Sequence, residues 1–139
     1  MEKYLRVLFK AALYYSGIYR MLIHLHRDRI PILMIHGVLD EQMTRHWKPS
    51  WRRTPPKQLE YVISVLNCYF DFESMDGIAD SLAQHAVPKR AKLGLTFDDG
   101  YRNNITCAAP ILVRKDSPAM FYLSTGNIES RAPMWIDRL

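Results

Sequence analysis

Apolar residues follow two different rhythms along this chain. Three runs are almost continuously apolar: Ile30 to Val38, Leu93 to Phe97 and Ala119 to Ser124. Runs of this kind predict strands buried on both faces, as in a parallel sheet. Between them the apolar positions recur at helical spacing. Thr54-Pro55-Pro56 opens a helix with Leu59, Val62, Ile63, Leu66 and Phe70 on one face, because proline suits a first helical turn. Asp71 to Ser74 predicts a small strand, and Ser74 or Asp76 caps a second helix carrying Ile78, Ala79 and Leu82. A third helix runs from about Asn103 to Lys115, and Pro110 inside it should kink or restart it. Strands alternating with crossover helices predict an α/β fold with a parallel sheet. Three or four strands are too few to close a barrel and enough for part of one.

The segment before the first strand differs. Met1 to about Arg27 reads as one amphipathic helix, with Lys3, Arg6, Lys10, Gly17, Arg20, His24 and Arg27 along one stripe. Leu5, Leu8, Phe9, Ala12, Tyr15, Tyr19, Leu22 and Ile23 lie mostly elsewhere on its surface. Its uncharged stretch from Ala11 to Tyr19 is far short of the roughly 20 residues that span a bilayer. It is rich in Tyr and has no small-residue cleavage site after it, so it makes a poor signal peptide. Two readings are open: peripheral contact of residues 1–27 with an anionic membrane surface, or packing against the body of the protein. No transmembrane segment is expected, and the compartment is not legible from this segment. A long polar loop over residues 39–56 carries Trp47, Trp51 and three prolines. Exposed indoles suit the stacking of sugar rings, and they equally suit covering the edge of a core.

Composition narrows the class. At 139 residues, 48% hydrophobic and 24% charged, the chain has the balance of a single globular domain. Its net charge of +5 is concentrated at one end. Residues 1–30 hold six basic side chains against two acidic ones, and the remainder holds thirteen against twelve. A nucleic-acid binder carries its positive charge on the folded body, and this body is nearly neutral, so no nucleic acid is expected as a partner. Two cysteines, Cys68 and Cys107, make neither a disulfide framework nor a four-cysteine zinc site. Both are expected as small buried side chains within helices.

The stretch that carries chemistry is Thr96-Phe97-Asp98-Asp99-Gly100. Two neighbouring carboxylates stand where a buried strand ends, the end at which α/β folds build their sites. Gly100 lets the backbone turn there, so that both carboxylates can address one pocket. Adjacent anions in a half-buried place repel each other. A divalent cation resolves the conflict if one carboxylate ligates it and the other acts as a base. Alternatively, either aspartate simply caps the next helix or makes a local turn. His36, at the end of the first strand, is a second candidate.

Leu95-Thr96-Phe97-Asp98-Asp99-Gly100-Tyr101 resembles the first motif of the polysaccharide deacetylases, the family with the NodB homology domain (carbohydrate esterase family 4). Ile32 to Val38 resembles the early strand of the branch acting on bacterial exopolysaccharide, where Tyr usually precedes the histidine and Ile35 stands here. Thr54 to Leu59, Tyr101 to Leu112, Pro118 to Gly126 and Trp135 to Leu139 follow the same branch. The resemblance covers about residues 30–139. It implies an incomplete parallel (β/α) barrel of the NodB type over 30–139, preceded by a basic amphipathic helix over 1–29. It further implies metal-dependent hydrolysis of N-acetyl groups on a polysaccharide of N-acetylated amino sugars. By carry-over, Asp98 would be the catalytic base and Asp99 a ligand to a divalent metal, zinc being the first expectation. His36 and Tyr101 would line the substrate pocket.

The family also supplies two metal ligands from a downstream His-x-x-x-His motif, a later Arg that steadies the base and a later His that acts as general acid. Here no histidine follows His85. Catalytic zinc normally has three protein ligands, so this polypeptide alone is expected to be inactive. It would be the N-terminal part of a longer enzyme, or the product of a truncated gene. Two other functions compete. A phosphatase of the haloacid dehalogenase type also places aspartates after a buried strand, but needs them two residues apart. A non-catalytic, carbohydrate-binding or membrane-associated remnant would use Trp47, Trp51 and the basic helix.

Overall fold

The structure is a computed structural model that describes residues 2–39 and 54–132. Trp47, Trp51 and Trp135, to which sugar stacking and part of the resemblance were attached, lie outside the described residues.

The chain begins with two helices, α1 (Glu2–Tyr15) and α2 (Ile18–Leu25). The single helix expected over Met1 to about Arg27 is therefore divided. Gly17 is the cause: its φ of 75° is left-handed and cannot continue a right-handed helix. Ser16 supports the break from both sides, donating its hydroxyl to Leu13 O and accepting from Ile18 N–H.

Four parallel strands follow: β1 (Ile32–Ile35), β2 (Asp71–Glu73), β3 (Lys92–Phe97) and β4 (Met120–Phe121). The helix α3 (Pro56–Asn67) precedes β2, and α4 (Met75–Ala83) connects β2 to β3. Strand β3 lies in the middle. Gly94 pairs with both Ile32 and Glu73, while Thr96 and Phe97 pair with both β1 and β4. β1 therefore flanks β3 on one side. On the other side β2 pairs with its beginning and β4 with its end. Only β3 is the run buried on both faces that its composition predicts.

β1 corrects that expectation for its own sequence. Its residues alternate between exposed and half-buried, and Met34 is 57% exposed. Among the described residues β1 pairs with β3 alone, and Ile32 and Met34, on one of its faces, stay more than half exposed. The third predicted strand is likewise shorter than Ala119 to Ser124. It pairs over two residues, and Thr125–Ser130 turns into a short helix, α6, that the apolar run did not announce.

The core lies between one face of the sheet and α3 and α5 (Ala109–Arg114). Leu95 and Phe97 from β3 meet Leu59 and Ile63 from α3 and Ile111 and Leu112 from α5. Phe97 is fully buried and stacks on Phe121 of β4, with ring centroids 5.0 Å apart and planes 17° from parallel. Offset stacking of this kind adds about 0.5–1.5 kcal/mol to the burial of the rings. On the opposite face, α4 approaches so closely that a Cβ on Gly94 would sit 2.7 Å from Ile78 Cδ1.

Local predictions for the helices hold where capping chemistry governs them. Ser74 is the N-cap of α4, its Oγ accepting from Gly77 N–H at 3.1 Å. Pro56 opens α3. Pro110 divides the third predicted helix into a π-helical turn, Asn104–Ala108, and α5. Proline has no N–H to continue an α-helical ladder, and the wide turn hands Ala109 N–H to Asn104 O instead. The cysteines depart from expectation: Cys68 is exposed and Cys107 half-buried. Cys68 caps the end of α3, where its thiol reaches Ser64 O rather than the core.

Candidate active site

The carboxyl end of β3 is held on both sides before it turns. Asp98 N–H donates to Ile35 O at 2.9 Å, and Tyr122 N–H donates to Phe97 O at 2.8 Å. The chain then takes two consecutive left-handed residues, Asp99 at φ 71° and Gly100 at φ 68°. Such a pair reverses direction at once, so the carboxylates stand on the turn rather than along a strand. Left-handed backbone costs aspartate less than it costs branched residues, because its short polar chain tolerates it. At Gly100 a side chain would be crowded as well. A Cβ there would lie 3.0 Å from Leu123 Cδ2 and 3.2 Å from Leu123 Cα. The bend expected from Gly100 is present, and Asp99 shares it.

Asp98 and Asp99 are both half-buried. Asp98 Oδ1 is shielded from solvent and has no hydrogen-bond partner. A buried acceptor left without a donor is uncommon in native proteins and asks for a ligand, a water or an ion. Two more such oxygens follow it in the chain, Asn103 Oδ1 and Asn104 Oδ1.

His36 follows β1, and the pairing of Ile35 with Phe97 sets it beside Asp98 at the same end of the sheet. Its side chain is exposed. Tyr101 is half-buried just after the turn, and its carbonyl accepts from Asn104 N–H at 2.9 Å. All four residues singled out from the sequence, Asp98, Asp99, His36 and Tyr101, thus lie at one end of the sheet, in the segments that leave two neighbouring strands.

Asn104 was missed by sequence reasoning. It is 1% exposed, and its Nδ2 donates to His36 O at 2.9 Å and to Asp98 O at 3.3 Å. One amide therefore ties together the main chains that leave β1 and β3. The available signal was a polar residue at a core-facing position of an otherwise apolar helix, four residues after Gly100. Buried side-chain amides are costly unless bonded, and here the bonds serve the frame around the carboxylates.

A divalent cation finds part of what it needs. A carboxylate with an unpartnered buried oxygen suits one, and Asp99 adds a second carboxylate. Among the described residues, however, no group of three or more His, Cys, Asp or Glu side chains stands together. A catalytic zinc centre with three protein ligands is not assembled from them.

Comparison with known proteins agrees with this geometry. Residues 85–137 match the family described as polysaccharide deacetylase. The chain is similar to a Streptococcus pyogenes deacetylase, PplD, solved in complex with acetate. That similarity has 25% identity and a TM-score of 0.60, over 73% of this chain and 45% of that one. The fold is shared with IcaB from Ammonifex degensii, at 23% identity and a TM-score of 0.59 over 70% and 39% of the two chains. It is also shared with a de-N-acetylase from Aggregatibacter actinomycetemcomitans, at 22% identity and a TM-score of 0.56 over 66% and 36%. The chain thus spans less than half the length of each of these structures. No curated protein matches it. The parallel sheet is consistent with part of a NodB-type barrel, and the resemblance drawn from Leu95 to Tyr101 is borne out by the polysaccharide deacetylase match over residues 85–137.

Proposed function

We propose that this chain belongs to a metal-dependent enzyme that hydrolyses N-acetyl groups on a polysaccharide of amino sugars. The observation that carries the reading is that the family match over residues 85–137 includes Asp98 and Asp99 at the carboxyl end of the central strand. Acetate, bound in the Streptococcus pyogenes deacetylase, is the product such a reaction releases. Domain boundaries of 1–29 and 30–139 fit the change from exposed helices to a cored sheet.

Asp98 is assigned the role of general base. Its buried, unpartnered oxygen is a free acceptor for a proton of the attacking water. As the water oxygen adds to the acetyl carbon, Asp98 takes that proton; the carbon–nitrogen bond then breaks, the nitrogen gains a proton, and acetate and a free amine result. Proton transfer to a positioned base is worth about 10²–10⁴-fold in rate. Asp99 is assigned to the divalent cation, zinc by family resemblance, with the missing ligands supplied outside the described residues. Asn104 acts through the main chain, holding His36 and Asp98 in register, and His36 and Tyr101 are assigned to the substrate side of the pocket. The exposed apolar surface of α1 and α2 supports peripheral membrane contact through residues 1–27.

The test has two stages. Coding DNA beyond Leu139 should encode a His-x-x-x-His motif in frame, and the protein that includes it should release acetate from N-acetylglucosamine oligomers. In that protein Asp98→Asn should lower acetate release by about 10²–10⁴-fold. Release undiminished by Asp98→Asn would remove the assignment of the base, and an unrelated downstream sequence would remove the enzymatic reading of this gene product.

A further inference from the structure

A cavity of about 190 Å³ lies at the end of the sheet opposite the aspartates, between α2 and the turn that enters β3. Arg20, His24, Lys89 and Arg90 line it together with Tyr69, and no carboxylate does. Its walls are fixed. Arg90 Nη1 pairs with Asp71 Oδ1, and its Nη2 donates to Asn67 O. The Arg20 guanidinium stands over the Tyr69 ring, 5.6 Å from its centroid. Asp71 answers the charge of Arg90, which leaves the charges of Arg20 and Lys89 to the cavity.

The cavity is lined by α2, which continues from α1, and these two helices expose many large apolar side chains. Tyr4, Leu5, Leu8, Phe9 and Tyr15 of α1 are all more than three-fifths exposed, and α2 buries no residue at all. Isolated exposed apolar residues need no explanation, but this density on two consecutive helices marks an interaction face. α1 has 14 residues, a length of about 21 Å, against the roughly 30 Å of a bilayer core. Among the described residues no helix is long and apolar enough to cross a membrane. Short helices with an apolar face and basic flanks lie in the interface of an anionic bilayer instead.

We propose that the Arg20–His24–Lys89–Arg90 cavity is a phosphate-headgroup site that docks α1 and α2 on an anionic phospholipid surface. The charge of the cavity selects the occupant, because two copies of this face would bring like charges together. The proposal rests on the reading that residues 1–27 contact a membrane and adds where the headgroup binds. It is independent of the deacetylase reading. Because the cavity precedes β3 and the aspartates follow it, docking leaves Asp98 at the opposite end of the strand, about 20 Å from the headgroup site by strand length.

Flotation of the full chain with phosphatidylcholine vesicles, with and without phosphatidylglycerol, tests this. Binding should require phosphatidylglycerol and fall in high salt. Arg20→Gln with Lys89→Gln should weaken it about 25-fold, on the basis of about fivefold per basic residue. Phe9→Ser should weaken vesicle binding while leaving the cavity intact. Circular dichroism melts check that each variant folds. Equal binding to both kinds of vesicle, or binding unchanged by the double Gln variant, overturns the headgroup site while sparing the membrane contact. Absence of vesicle binding overturns both. In that case, self-association that rises with concentration would assign the face to a second copy. Calorimetric binding of inorganic phosphate, lost in the double Gln variant, would assign the cavity to a soluble anion.

Discussion

The two ends of this chain spend their apolar residues in opposite ways. Around β3, Phe97, Leu95, Leu59 and Ile63 are all buried, and the polar groups among them are placed by specific bonds such as those of Asn104. In α1 and α2 comparable numbers of large apolar side chains remain exposed, while Tyr14 and Arg20 contact the body at the Tyr69 ring. Residue type alone therefore does not decide burial. A strand with neighbours on both sides and helices over its face has somewhere to put Leu and Phe, while a short helical pair at one end of the sheet does not. The first region holds a turn of two aspartates in a bonded frame, and the second leaves its apolar side chains at the surface.

Substitution should expose this contrast most strongly at Phe97. Phe97→Ala removes a fully buried ring and its stack on Phe121, and should cost about 3–5 kcal/mol in denaturant unfolding. Tyr15→Ala, at a residue 84% exposed, should stay within about 0.5 kcal/mol in the same measurement. Equal costs would mean that the helical pair is packed after all.

Gly100→Ala probes the turn. It places a Cβ against Leu123 at a left-handed φ, and should destabilise by about 1–3 kcal/mol. Asn104→Ala should cost about 1–3 kcal/mol, because it leaves His36 O and Asp98 O without their shared donor. Amide hydrogen exchange should then quicken at Asp98, whose N–H bridges to Ile35 O, while α1 is unchanged.

The smallest effect concerns pH. Lys92 Nζ lies 2.9 Å from Glu73 Oε2, and this hydrogen-bonded ammonium, first among the causes, holds the Glu73 carboxyl below its ordinary pKa. A carboxyl depressed in the folded state contributes stability above its unfolded pKa, and loses that contribution as pH falls through the folded value. Both side chains are partly exposed, so the contribution is under about 1 kcal/mol. Lys92→Met should lower Tm slightly at neutral pH, and the difference from the parent should vanish in acid.

Much of the body was legible from local chemistry. The continuous run Leu93 to Phe97 is a doubly buried strand, Ser74 caps its helix, Pro110 interrupts its helix, and Gly100 bends the chain. Each of these depends on a residue's own backbone preference or on neighbours a few positions away. The aspartate pair at a strand end was legible for the same reason, since chain order alone puts it there.

Other features depended on partners distant in sequence. Ile32 and Met34 are as apolar as Leu93 and Leu95, yet among the described residues their strand lies at the edge of the sheet and one of its faces stays exposed. Asn104 reads as an ordinary helix residue until β1, 68 positions earlier, brings His36 O within reach of it. The cationic cavity draws on Arg20 and Lys89, which no spacing rule connects. Chain order and side-chain type were enough to predict strands, turns and caps, because those are short-range energies. Which surfaces are covered, and which charges meet, followed from how the elements pack, because burial and Coulomb interactions depend on distance in space rather than along the chain.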